Sequence, residues 1–266
     1  MNDSGFRVKS DKPFMVGIVI LCSVYILLIV LMVLADIVYT DTSTLLATLR
    51  DPNIRYAIVL SLGSCTISTL LSLWVAIPIG YLMSRFEFRG KRWVDAALDV
   101  PIVLPPLVIG ISLLVLFNYP PFAWLSEYVV FEIPAVILAQ FTVACAFAVR
   151  TMRVSFDQIP ERYEHVALTL GCNRSKAFWM VIMPQARFGV LAAATLAWAR
   201  SMGEFGPILV FAGSSRMRTE VLPTSVYLEL QAGNLPGMLA ISLIMIFAAA
   251  VVLVSARMLG MEGGKL

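Results

Sequence analysis

Arg200 and Glu204 stand four residues apart inside a long apolar stretch, FGVLAAATLAWARSMGEFGPILVFA, residues 188–212. On a helix that spacing puts both side chains on one face, where each neutralises the other. Either one alone in hydrocarbon costs about 3 kcal/mol or more. Two uses are open to such a pair: an ion pair that fixes helix packing, or a charged lining or gate of a solute path. Gly203, Gly206 and Pro207 loosen the helix beside it, and Pro105 and Pro106 do the same within VLPPLVIG, residues 103–110. A proline lacks a donor and frees a carbonyl, so a plain kink accounts for either break. A broken helix also presents unused N–H groups, which suit an oxyanion.

A second group is polar and lies outside the apolar runs: EHVALTLGCNRSKAFWMVIMP, from Glu164 to Pro184. Pro160 suits a first helical position, Glu161 and Glu164 oppose the helix dipole in the early turns, and Gly171 can supply the left-handed conformation that ends a helix. Asn173 then caps a second short helix that runs to Pro184. Val166, Ala167 and Leu170 recur at three- to four-residue spacing and predict one apolar face. Such an element either lies on a membrane surface or docks onto a partner.

Other chemistries lack their residues. His165 is the one histidine of the chain and sits in this polar segment, which leaves no base for a Ser–His hydrolase within the apolar runs, and no paired intramembrane aspartates serve an aspartyl one. No GxxxxGK[ST] loop is present, so nucleotide hydrolysis by that route must come from another subunit. The four cysteines, Cys22, Cys65, Cys145 and Cys172, have no metal-ligand or CxxC spacing, and three lie in apolar runs as small hydrophobes. No metal site follows from them. The basic residues form interrupted flanks without interleaved aromatics, which requires no nucleic acid.

The elements that must position these residues are membrane spans. Of 266 residues, 59% are hydrophobic and 14% charged, too little polar surface for a soluble domain. Six spans are expected at Phe14–Ala35, Ile54–Ser84, Leu98–Phe117, Val129–Val149, Phe188–Ala212 and Pro236–Leu259. The fold class is therefore an all-α polytopic membrane protein. With the N-terminus in the cytoplasm, fifteen Lys and Arg fall inside and four (Arg50, Arg55, Arg216 and Arg218) outside, which predicts cytoplasmic termini. The first apolar run is long and lacks a small-residue cleavage site, so it reads as a retained span. The organisation expected is a tail, first span and outer loop over residues 1–53, a transmembrane domain over 54–259 and a short cytoplasmic tail over 260–266.

Glu164, Ala167, Gly171 and Pro184, with thirteen residues from the glycine to the proline, resemble the EAA loop of ABC importer permeases. Aligned on Gly171, His165 stands where that family usually has its glutamate, and Glu164 offers a carboxylate one position earlier. VLPPLVIG, the run ARSMGEFG at 199–206, FAG at 211–213 and Leu222-Pro223 resemble the molybdate, tungstate and sulfate branch of type I permeases. GEFG followed by FAG is more typical of its molybdate members than of the sulfate ones. The resemblance implies a type I permease fold whose segment around Glu164–Gly171 is a coupling helix. It also implies a homodimer with one pathway between the copies, two cytoplasmic ATPase subunits that bind ATP and Mg, and an extracytoplasmic binding protein. This chain itself would hold no cofactor, sit in the inner (plasma) membrane and import molybdate or tungstate by alternating access.

Two alternatives stand beside it. One keeps the architecture and changes the cargo to sulfate or thiosulfate. The other is a secondary transporter using Arg200 and Glu204 for ion coupling, which predicts pseudo-symmetric halves; the sequence has no convincing internal repeat.

Overall fold

The computed structural model describes residues 12–262, and among them it contains helices and connections but no strand. The N-terminal tail ahead of residue 12 and residues 263–266 of the expected C-terminal tail lie outside the described residues. Among the described residues, five helical segments are long and apolar enough to cross a membrane, at Phe14–Tyr39, Pro52–Arg85, Ile133–Asp157, Arg174–Met202 and Leu235–Met258. A bent pair, Lys91–Val103 and Pro106–Asn118, whose axes turn by 112°, is apolar enough to make a sixth crossing if its two helices are taken as one span.

In chain order the helices are α1 (Lys12–Tyr39), α2 (Thr42–Arg50), α3 (Pro52–Arg85), α4 (Lys91–Val103), α5 (Pro106–Asn118), α6 (Ala123–Val129) and α7 (Ile133–Asp157). They continue with α8 (Arg162–Thr169), α9 (Arg174–Ala177), a π turn (Phe178–Ile182), α10 (Met183–Met202), α11 (Gly206–Phe211), α12 (Leu222–Gln231) and α13 (Leu235–Glu262).

The centre of the bundle is α3 against α7, with α10 packed on both. Membrane helices gain little from the hydrophobic effect against one another, so they associate where small residues let backbones approach and polar groups bond across. The buried side of α3 has that composition: Ser61, Ser64, Cys65, Ser68, Thr69, Ser72, Ala76 and Gly80. The buried side of α7 is similarly small, with Ala135, Ala139, Val143, Ala144, Ala148 and Met152, of which Ala144, Ala148 and Met152 cluster with Ala76 of α3. Ser68 Oγ donates to the Ile137 carbonyl at 3.0 Å and lies 3.2 Å from Gln140 Oε1. All four cysteines are free. By contrast α1 is apolar all round and exposed along its length, packing against α13.

The fourth span, expected at Val129–Val149, starts later and runs longer, over Ile133–Asp157, and two others differ in form. The third, expected as one helix over Leu98–Phe117, breaks after Val103, because Pro105 holds an extended backbone and Pro106 starts a new helix. The fifth, expected at Phe188–Ala212, is a helical segment over Arg174–Met202 that contains α9, the π turn and α10. The expected separate helix ending at Pro184 is thus the opening of that span. Met183 N donates to Phe178 O, five residues back, in the wider π geometry just ahead of Pro184. A proline ring in a regular helix would collide with the carbonyl four residues earlier; the widened turn relieves that contact. The span ends at Gly203 and not at Ala212, and α11 is a separate short helix.

Candidate coupling and pathway sites

At the end of the bundle that carries Arg85, Arg150 and Arg153, α8 lies between α7 and the fifth span. It begins at Arg162, two residues after Pro160, with Glu161 as its N-cap. Gly171 ends it as expected: φ is +88°, Cys172 N donates to Ala167 O at 3.1 Å, and Gly171 N to Leu168 O at 3.0 Å. This pair of bonds satisfies the last carbonyls in the way that favours glycine. Asn173 Oδ1 accepts from Lys176 N at 2.8 Å and so caps α9.

The apolar residues of α8 do not share one face. Ala167 is buried with Glu164, whereas Val166 and Leu170 are 55% and 80% exposed, with Tyr163 beside them. The helix therefore turns Glu164 and Ala167 inward and presents Tyr163, Val166 and Leu170 outward, along with exposed His165. Pro184 is not on this helix; it is exposed near the start of α10.

Glu164 meets residues that sequence reasoning overlooked. Tyr81 Oη donates to Glu164 Oε1 at 2.7 Å, and Arg85 Nε lies 3.8 Å from Oε2, an ion pair too long for a hydrogen bond. Arg85 Nη2 also donates to the Ile159 carbonyl at 2.6 Å, and its Nη1 lies 3.9 Å from Glu161 Oε1. The Tyr81 ring is held edge-on by Phe86, Phe156 and Phe178. Tyr81 and Arg85 are one helical turn apart on α3 and so share a face, the signal by which the sequence could have shown them. Nearby, Asp95 of α4 binds Arg153 of α7, and Asp99 binds Arg150, mooring α4 beside the same end.

The pathway candidates come together elsewhere. Arg200 Nη1 is 2.7 Å from Glu204 Oε2, so the expected pair forms, although the helix stops between them at Met202. Glu204 is 1% exposed, and neither of its oxygens has an aligned hydrogen-bond partner among the described residues. The Arg200 guanidinium also lies 5.8 Å from the centroid of the Phe147 ring.

The two breaks in the helices face each other. A Cβ at Gly206 would stand 3.0 Å from both Pro106 Cβ and Leu107 N, and one at Gly110 would stand 2.8 Å from Pro207 Cα. The start of α5 therefore rests directly on the start of α11. Pro105, Pro106, Leu107 and Val108 remain exposed along the rim of this contact, as does Gly203 at the end of α10. Gly203 has an ordinary φ of −86° and no atom closer than 3.8 Å to a built Cβ, so its backbone does not require glycine.

At the opposite end the connection between α11 and α12 carries Arg216 and Arg218. Arg216 Nη2 donates to Glu229 Oε1 at 2.8 Å, and Arg218 pairs with Glu132 at the start of α7, a contact that pushes the arginine further up from its ordinary range. Glu220 is buried there. Ser225 Oγ donates to its Oε1 at 2.8 Å, its Oε2 has no hydrogen-bond partner among the described residues, and burial pushes its carboxyl above the ordinary carboxylate range.

Residues 76–260 match the family described as "Binding-protein-dependent transport system inner membrane component". The molybdate/tungstate transport system permease protein WtpB of Pyrococcus abyssi is 38% identical over 172 residues, covering 65% of this chain and 66% of that relative. The molybdenum transport system permease protein ModB of Mycobacterium tuberculosis is 33% identical over 213 residues, 77% of this chain and 80% of the relative. The crystal structure of a bacterial alginate ABC transporter in complex with an alginate pentasaccharide-bound periplasmic protein contains a chain of the same fold. Its TM-score is 0.70 at 16% identity, over 93% of both chains.

Proposed function

Since the chain belongs to the family of binding-protein-dependent transport system inner membrane components, we propose that it is the membrane subunit of an ATP-driven importer that admits molybdate or tungstate to the cell. The observation that carries the reading is the packing of Pro106 on Gly206. It joins two interrupted helices at a point where a regular membrane helix would leave only apolar side chains. The positive end of the α5 dipole and the Arg200 guanidinium supply attraction for an anion, and Glu204 tempers it. A transported ion must leave again, so contacts of this modest strength suit passage better than tight binding.

The chain is not itself an ATPase. Energy comes from two separate ATPase subunits with ATP and Mg, seated against the exposed Tyr163, Val166 and Leu170 of α8 at a cytoplasmic end. His165 lies on the rim of that seat, and Gly171 and Pro184 shape the backbone behind it. Two copies of the chain enclose one pathway, with α5 and α10 lining it, in the inner (plasma) membrane with both termini inside. An extracytoplasmic binding protein delivers the ion at the end that carries Arg216 and Arg218. When ATP closes the ATPases, the paired α8 helices approach and the pathway opens outward; hydrolysis reverses the movement.

Cellular molybdenum and tungsten, measured by mass spectrometry at trace supply in a deletion strain and its complemented form, test the reading. Loss of molybdenum or tungsten in the deletion, restored by the gene and not mimicked by excess sulfate, is the expected result. Unchanged metal with impaired sulfate uptake would overturn the cargo in favour of sulfate.

A further inference from the structure

We infer that Glu164 is a positioning residue which locks α8 to the end of α3 through Tyr81 and Arg85, so that movement of the docked helix is delivered to α3, and that its carboxylate does not contact the ATPase. The inference rests on the docking role proposed for α8 and assigns different work to its two faces. The Glu164 side chain is 7% exposed and that of Arg85 6%, so neither is available to another subunit without unpacking this one. Both carboxylate oxygens are engaged from α3: Oε1 by Tyr81 Oη at 2.7 Å, Oε2 by Arg85 at 3.8 Å.

Arg85 holds the chain at two further points, the Ile159 carbonyl and Glu161, and thus ties the connection from α7 as well as the helix itself. The Tyr81 ring is wedged among Phe86, Phe156 and Phe178, the last belonging to the π turn against which α8 packs. One turn of α3 therefore grips α8 and both segments that flank it. A loop helix attached only through its ends would absorb a push by bending those connections. A helix joined by a buried ion pair and hydrogen bond moves with its neighbour, because separating them would expose or orphan buried polar groups. α3 in turn forms the centre of the bundle with α7 and α10, which places the grip at the root of the elements that must move.

The test uses the assembled transporter with its ATPase and binding protein in proteoliposomes and molybdate as probe. ATPase co-purification, ATP hydrolysis and uptake are compared for Glu164→Ala, Tyr81→Phe and Leu170→Asp. Glu164→Ala should keep the ATPase bound and hydrolysing while uptake per ATP falls about threefold to tenfold. Tyr81→Phe keeps the ring packing and removes only the hydroxyl, so it folds and should show a smaller loss of the same kind. Glu164→Gln, which still accepts the Tyr81 hydrogen bond, should recover part of the alanine defect. Release of the ATPase by Glu164→Ala, or unchanged uptake per ATP in both Glu164→Ala and Tyr81→Phe, would overturn the inference. Leu170→Asp tests the docking reading by itself: it should release the ATPase, and retention of the ATPase in that variant would remove the premise whatever Glu164 does.

Discussion

Gly206 rests on Pro106 with no room for a side chain, a built Cβ lying 3.0 Å from the proline Cβ and 3.0 Å from Leu107 N. One turn further along α5, Gly110 meets Pro207 more closely still, at 2.8 Å from its Cα. Both neighbours are backbone or rigid ring atoms that cannot swing aside. Gly110→Val should therefore push α5 from α11 at a cost of about 1–3 kcal/mol. The transporter should still assemble with its ATPase, but molybdate uptake should fall at least about tenfold if the join lines the pathway. Gly203→Ala is the contrasting variant: its position is open, and uptake close to wild type is expected. Equal behaviour of the two variants would show that glycine is not used for close packing here.

Arg200 and Glu204 can be separated into structural and pathway roles by a double substitution. Arg200→Met leaves the Glu204 carboxylate buried and unpaired, which should destabilise the detergent-solubilised protein by about 3 kcal/mol, the low end for a broken buried pair because Arg200 is partly exposed. Replacing both, Arg200→Met with Glu204→Leu, removes the orphaned charge and should restore most of the thermal stability. If the pair only fixes packing, uptake returns with stability. Uptake that stays low in a stable double variant places the pair in the ion's path.

Gly171 tests a backbone requirement in isolation. Its φ of +88° is one that β-branched side chains resist, yet no atom lies within 4 Å of a built Cβ. Gly171→Val should thus act through conformation alone, at about 1–2 kcal/mol, and uncouple ATP hydrolysis from uptake. Gly171→Asn tolerates the left-handed region and should retain much of the coupling. Normal uptake with the valine variant would sink the role given to the end of α8.

Glu220 offers a pH-dependent measurement outside the spans. Its carboxyl is raised by burial, with Ser225 and Arg216 only partly offsetting that effect. A group whose folded-state pKa is raised favours folding in its protonated form. Its carboxylate imposes a penalty that grows as pH rises from the ordinary carboxylate range through the raised folded value. Glu220→Gln should therefore raise the neutral-pH Tm by about 2–4 °C, with the difference from wild type shrinking as pH is lowered. A difference that did not change with pH would assign the gain to packing.

Much that proved legible in the sequence depends on interactions within a turn or two of helix. The spans follow from runs of apolar residues, the end of α8 from Gly171, the cap of α9 from Asn173, and the Arg200–Glu204 pair from a spacing of four. Each is decided by residues near one another along the chain, where backbone geometry is nearly constant. The break at Pro105 was visible as a possibility, but a proline in a membrane helix is compatible with either a mild kink or a full turn. Contact with Gly206, about a hundred residues away, accompanies the 112° bend that the structure adopts.

Tertiary structure alone decided which side of each helix is inside. Val166, Ala167 and Leu170 suit one apolar face by spacing, yet the helix is rotated to bury Glu164 and Ala167, because α3 offers Tyr81 and Arg85 to the carboxylate. That partnership spans 83 residues of sequence and leaves no periodic trace. In a bilayer the difficulty is general: apolar side chains are as much at home in lipid as in the bundle, so hydrophobicity marks the spans without marking their inner faces. Those faces are chosen by close approach of small residues and by pairing of buried polar groups, and both depend on which helices become neighbours.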